Sequence, residues 1–210
     1  MIQLILVRHG TTTAIEQRRL QGSTDSPLSM RGREEARLAA AALQNSSVEY
    51  AYSSLMGRAR ETAGIICAQL GIDYQIVDEL REMDFGFFEG REYFETPDKD
   101  STLIDRLGLL GRILIAQITG EPLFHVGRRA RMAWQIISES VDRGKVLVIT
   151  HGALINYLVQ FLLPRETFNK IRPVQSDPCS ITELDVNLPG NAVLLRLNDT
   201  RHLLKSRETD

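Results

Sequence analysis

Cysteine, lysine, long apolar runs and any surplus of positive charge are all scarce in this chain. Its 210 residues include two cysteines, Cys67 and Cys179, too few for a disulfide framework. Cys67, in an Ala-Gly-Ile-Ile-Cys-Ala stretch, reads as a buried hydrophobe, and the expected compartment is reducing. No apolar run approaches the roughly 20 residues that a membrane span needs, so no membrane is expected among the partners. The first residues, Met-Ile-Gln-Leu-Ile-Leu-Val, lack a basic segment and are too short for a signal peptide, so a cytoplasmic location is expected. Lys and Arg number 25 against 27 Asp and Glu, a formal net charge of −2. With no polybasic arm and no surplus to neutralise a phosphate backbone, nucleic acid is not expected as a partner. Metal motifs are missing as well: no His-Glu-x-x-His, no close cysteine pair, no carboxylate-rich loop. Neither a Gly-x-x-x-x-Gly-Lys loop nor a Gly-x-Gly-x-x-Gly loop occurs, and no cofactor is expected. Only four of the 25 cations are lysine, which leaves 21 arginines. Arginine offers a planar, permanently charged fork suited to carboxylate or phosphate.

What is present is ordinary soluble-protein composition, 43% hydrophobic and 25% charged, at a length that fits one domain, 1–210, with an insertion. Short β-rich apolar runs at 2–7, 50–53 and 145–150 alternate with helical patterns at 29–43, 57–70, 126–141 and 153–163. Ser29 is a candidate N-cap for the first of these helices. Late strands are expected at 180–186 and 192–197, joined as a hairpin, before a polar tail at 205–210. Continuous Val/Ile runs suit strands covered on both faces. The fold class expected is α/β: a three-layer α/β/α sandwich around a mostly parallel central sheet. One stretch breaks the alternation. Residues 97–100 are loop-like, and 103–118 is apolar nearly all round, so 93–125 reads as a helical insertion over the active end of the sheet. Core packing or a dimer contact is an equal alternative for that segment, and a homodimer stays open.

Two of the four histidines share one context: an apolar strand, then His, then Gly. His9 follows Leu-Ile-Leu-Val-Arg and His151 follows Val-Leu-Val-Ile-Thr. Ligands of open α/β sheets bind outside the carboxyl ends of strands, so two parallel strands would deliver both imidazoles to one crevice. Gly10 and Gly152 would let the backbone approach a ligand there. Arg8, a charge at the end of a buried strand, needs either a carboxylate or a ligand. Arg58 falls in the first turn of its helix, where a cation is unfavourable unless an anion joins it, which suggests a phosphate. Glu82 lies among apolar and aromatic residues that would raise its pKa and suit it to act as a general acid, with Glu79, Asp84 and Glu89 as local competitors.

These residues occur in an order that resembles the histidine phosphatase superfamily. Leu-Val-Arg8-His9-Gly10-Thr-Thr is similar to its signature. Gln21-Gly22-Ser-Thr-Asp25-Ser-Pro27-Leu28-Ser29 is similar to the loop before its first long helix, and Ser53-Ser54-Leu-Met-Gly-Arg58-Ala59 to its phosphate-binding helix start. Leu80-Arg81-Glu82-Met83-Asp84-Phe85-Gly86 is similar to its acid loop, and Val148-Ile149-Thr150-His151-Gly152 to its second histidine. The resemblance implies that His9 is the nucleophile and forms a phosphohistidine. It implies that Arg8, Arg58 and a cationic His151 hold the phosphoryl oxygens and that Glu82 is the proton donor and acceptor. Gln21, Gly22, Gly10 and Gly152 would contact substrate or phosphate, and no metal would take part. Thr11 stands where Glu or Gln is usual, Ile15 where the mutases carry Asn, and the insertion is poor in Lys. These departures favour a phosphatase of small-molecule phosphomonoesters. A phosphoglycerate mutase is the rival, and a catalytically idle phospho-ligand binding module is a more distant one.

Overall fold

Why the two histidines meet is a matter of strand register. The computed structural model describes residues 1–92 and 109–206. The expected loop at 97–100, the start of the apolar segment at 103–108 and the tail beyond 206 lie outside these. Six strands, β1 (Ile2–Arg8), β2 (Tyr50–Ser53), β3 (Gln75–Ile76), β4 (Gly144–Thr150), β5 (Ile181–Val186) and β6 (Val193–Asp199), form one sheet in the order β3-β2-β4-β1-β5-β6. β3, β2, β4 and β1 pair in parallel, whereas β5 runs antiparallel to β1 and β6 antiparallel to β5. The sheet is therefore mixed, and its parallel half carries the site.

Side chains alternate across the pleat, so each strand feeds two cores. Leu4 and Leu6 of β1 join Val146 and Val148 of β4 on one face. There they pack against α5 (Leu123–Ser140) and α6 (Gly152–Leu162), through Val126, Ala130, Ala133, Leu154 and Leu158. Ile5, Val7, Leu147 and Ile149 point the other way, onto α2 (Met30–Leu43) and α3 (Gly57–Leu70). That second layer is lined by Ala36, Ala39, Ala40, Ala59 and Ala63, small residues that let two helices lie close to the sheet and to each other. Cys67 is buried in it, and burial together with Asp73 pushes its thiol up to about 11. These layers give the α/β/α sandwich expected from the alternation.

Local signals set most boundaries. Ser29 caps α2 by accepting from the Gly32 N–H at 3.1 Å, worth about 1 kcal/mol. α3 ends at Gly71, whose φ of 70° is the left-handed conformation glycine adopts without strain. α5 starts at Leu123 rather than 126: Pro122 precedes its first turn, and the Leu123 and Phe124 side chains face solvent, outside the inward stripe that marks the rest. A four-residue α1 (Thr13–Glu16) and α7 (Arg165–Ile171) complete the described helices together with α4 (Leu109–Thr119). The carboxyl end of α4 stands on the segment after Glu82: Thr119 Oγ1 accepts from the Phe87 N–H, and Asp84 O accepts from the Glu121 N–H at 2.8 Å. The described part of the insertion thus braces 84–88.

Candidate active site

β1 and β4 pair in register with Arg8 opposite Thr150, so the next residue of each strand is a histidine. The His9 N–H donates to Thr150 O at 2.9 Å, and the two ring centroids lie 5.1 Å apart. His9 Nδ1 is 2.8 Å from Gly10 O, and Arg58 Nε donates to His9 Nε2 at 3.2 Å. A carbonyl only accepts and a guanidinium only donates, so the proton sits on Nδ1 and Nε2 presents a lone pair. Burial, and then Arg8 and Arg58, hold the His9 pKa well below its ordinary value. His9 is therefore a neutral nitrogen base beside two cations.

Burial also pushes His151 well below its ordinary pKa, reinforced by His9, Arg58 and Arg8. Without an anion beside it the neutral ring is favoured, because a third positive charge next to two guanidiniums in a buried site is costly. Ser54 Oγ, which takes the Met56 N–H at 3.3 Å, lies 2.9 Å from His151 Nε2 and fixes the ring.

Arg58 is anchored on several sides. Its helix N-terminus already has an anion, Asp25, which accepts from the Gly57 and Arg58 N–H groups and from Arg58 Nη1. The guanidinium is fully buried, reaches back across the crevice to His9, and is anchored by Gly22 O at 2.8 Å and Thr24 O at 3.0 Å. Arg8 has no carboxylate partner among the described residues; Nη1 donates to Ser176 O at 2.6 Å and Nε is buried with no protein acceptor. Gln21 Nε2 and His151 Nδ1 are orphaned in the same way. Gln21 Oε1 takes the Thr12 hydroxyl at 2.6 Å.

The glycines divide. Gly10 does not make room for a ligand: its N–H goes to Thr62 Oγ1, and a Cβ there would come within 2.5 Å of Gly32 O in α2. Gly22 is equally crowded, by Met83 O and the Glu89 carboxylate, and its contribution is the carbonyl that holds Arg58. At Gly152 a Cβ would stand 3.8 Å from Arg8 Nε, so this residue alone of the three borders the arginine. Thr11 also turns away, its N–H and hydroxyl both given to Glu35 of α2.

Glu82 is 7% exposed; Oε1 takes the Met83 N–H at 2.9 Å and Oε2 the Ala153 N–H at 3.4 Å, at the start of α6 beside His151. Burial raises its pKa, opposed by the Met83 hydrogen bond and by Arg8 and Arg58. Two of the competing carboxylates have other partners. Asp84 takes the Gly86 N–H. Glu89 takes the N–H groups of Ser23, Thr24 and Phe85 and the Thr24 hydroxyl, which ties the loop carrying Gln21 to the acid loop. Arg129 of α5 was not foreseen. It donates to the Glu79, Arg81 and Glu82 carbonyls at 2.8, 2.6 and 3.3 Å and forks onto Glu121 at 2.9 and 2.7 Å. A charged residue in the otherwise apolar stripe Val126, Ala130, Ala133 is the sequence signal that marks it, as Glu35 is marked within the inward face of α2. Among the described residues no group of His, Cys, Asp and Glu could hold a metal ion.

The chain as a whole is similar to known proteins. A probable phosphoglycerate mutase of Yersinia pestis, GpmB, is 31% identical over 209 residues, covering 97% of this chain and 95% of that one. The crystal structure of a phosphoglycerate mutase from Bacillus anthracis superposes with a TM-score of 0.78 at 25% identity, covering 98% and 96% of the two chains. A mycobacterial glucosyl-3-phosphoglycerate phosphatase superposes with a TM-score of 0.77 at 25% identity, covering 94% and 99%. The family model for the histidine phosphatase superfamily, branch 1, matches residues 4–200, and the chain belongs to that superfamily.

Proposed function

We propose that this protein hydrolyses small-molecule phosphomonoesters through a phosphohistidine on His9. The observation that carries the reading is the lone pair of His9 Nε2, met only by Arg58 Nε, together with buried nitrogens on neighbouring site residues that no protein group satisfies: Arg8 Nε, Gln21 Nε2 and His151 Nδ1. Each such orphan costs about 1–3 kcal/mol, which a phosphoryl group with three acceptor oxygens offsets on arrival. Nε2 attacks phosphorus as the ester P–O bond breaks, and protonated Glu82 delivers its proton to the departing oxygen. Arg8, Arg58 and His151 carry the charge that accumulates on the phosphoryl oxygens. Glu82, now ionised, takes a proton from water as that water attacks the phosphohistidine, and His9 and inorganic phosphate are regenerated.

Hydrolysis is favoured over mutase chemistry by charge. A mutase must hold a second phosphate, and the insertion 93–125 carries five acidic residues against three basic ones. The relatives bear both kinds of name, so the decision belongs to an assay. Wild type should release inorganic phosphate from a panel of monoesters and His9→Ala should not. A quenched wild-type reaction should show acid-labile phosphate on His9. Equal release by both proteins would remove His9 as nucleophile. Isomerisation of 3-phosphoglycerate faster than its hydrolysis would favour the mutase.

A further inference from the structure

On the outer side of the α5–α6 layer lies a cavity of about 660 Å³ that shares no residue with the site above. Three arginines from three places in the chain line it: Arg131 of α5, Arg165 at the start of α7 and Arg172 just past the end of α7. All three are exposed, and they differ from the arginines that face carboxylates, such as Arg33 on Glu61, Arg129 on Glu121 and Arg196 on Glu183. Among the described residues no carboxylate lines this cavity or pairs with any of its three arginines. Four aromatic residues, Phe124, Tyr157, Phe161 and the buried Phe168, also line it. The Arg131 guanidinium lies 5.7 Å from the Phe161 ring centroid, Tyr157 is half-buried, and Phe124 is 72% exposed at the rim.

Three like charges lining one concavity repel each other and attract an anion to it. In a chain whose net charge is −2, that is an unusual local imbalance. The volume falls among those of small-molecule sites, about 300–1,000 Å³. One phosphate would satisfy neither three separate guanidiniums nor three rings. A flat ring bearing several negative charges would satisfy both, since aromatic faces and guanidinium planes stack on bases while guanidinium forks bind phosphate. We propose that this cavity is a second ligand site, for a nucleoside di- or triphosphate, with the phosphates on Arg131, Arg165 and Arg172 and the base against Phe124, Tyr157 and Phe161.

The test is calorimetric titration of the full chain with α,β-methylene adenosine diphosphate, which resists hydrolysis. Wild type should bind one equivalent, and Arg165→Glu/Arg172→Glu should bind at least about tenfold more weakly, the loss expected for two charge-assisted contacts. Both arginines are exposed, so the variant should keep the wild-type melting temperature and the wild-type rate on p-nitrophenyl phosphate. Arg131→Gln gives a milder second variant. Adenosine alone and tripolyphosphate alone should each bind more weakly than the intact analogue. Equal affinity in wild type and the charge-reversed protein would overturn the site. So would tripolyphosphate binding as tightly as the analogue, because the rings would then play no part. Loss of p-nitrophenyl phosphate hydrolysis in His9→Ala bears only on the first site, so the two readings fail separately.

Discussion

Replacing Arg129 by methionine should damage both stability and acid catalysis, in separable ways. The guanidinium is 7% exposed and its partner Glu121 is 12% exposed, so the pair is shielded from solvent. Methionine keeps most of the apolar stem but strands the Glu121 carboxylate and three carbonyls of the acid loop. Breaking a buried pair by removing one partner costs about 3–5 kcal/mol. In a chain of this size that lowers the melting temperature by about 10 °C. Glu121→Gln added to Arg129→Met removes the stranded charge and should restore part of the loss. The catalytic consequence follows from which carbonyls are released, those of Glu79, Arg81 and Glu82 itself. A loop free to shift carries the Glu82 carboxyl away from the leaving oxygen. An aryl phosphate, whose leaving group departs as a stable anion, needs little proton donation; an alkyl phosphate needs it fully. The drop in kcat/KM should therefore be at least about tenfold larger for an alkyl than for an aryl substrate. Calorimetric melting and parallel kinetics on p-nitrophenyl phosphate and glycerol phosphate measure both quantities. A destabilised variant whose alkyl-to-aryl ratio equals that of wild type would refute the positioning argument and leave Arg129 a structural clamp only.

Other outcomes follow from the same geometry. Glu82→Gln should slow hydrolysis of alkyl phosphates by about 100- to 10,000-fold; wild-type activity should decline as pH rises through the raised Glu82 pKa, and the variant should lack that alkaline limb. His9 and His151 are both depressed in the folded state, so below the unfolded value near 6.5 the unfolded chain binds more protons. Stability should then fall on acidification, by up to about 1.4 kcal/mol per pH unit for each histidine, and urea titrations of His151→Asn should show a shallower slope. Gly32→Ala would drive a methyl group into the Thr11 backbone beside His9, and an overpacking cost of about 1–3 kcal/mol should appear in denaturant midpoints. An unchanged midpoint would show that the strand end yields to accommodate it.

What could be read from the chain and what could not divides along physical lines. The His9 and His151 strand ends were legible because a buried parallel strand is a continuous Val/Ile run, and its end is marked by the first polar residues. α2 and α3 were legible because their apolar residues repeat at helical spacing, and Ser29 marks the start of the first. β3 has two residues, both exposed, so no alternation of apolar and polar residues fixes its bounds. Nor were the tasks of Asp25, Glu35, Glu89 and Arg129 legible, because their partners are backbone groups of distant loops. A backbone carbonyl has no letter in the sequence, so only the anomaly of a charge on an inward face hints at such a bond. The charge state of His151 is likewise not written in the chain, because it depends on burial and on the neighbouring guanidiniums.

The pairing of β1 with β4 gives the protein a ruler. Neighbouring strands stand about 4.8 Å apart because hydrogen-bond length sets the spacing, and the imidazole centroids sit 5.1 Å apart. The separation of the two rings is thus inherited from the backbone, tied by one amide between His9 and Thr150, and owes little to the side chains around them. It cannot drift gradually. To move one ring past the other on the same face, a strand must slip by two residues, which would unzip every pair from Ile2 opposite Gly144 to Arg8 opposite Thr150. Loops and insertions can therefore be rewritten for new leaving groups while the distance between the two imidazoles stays fixed.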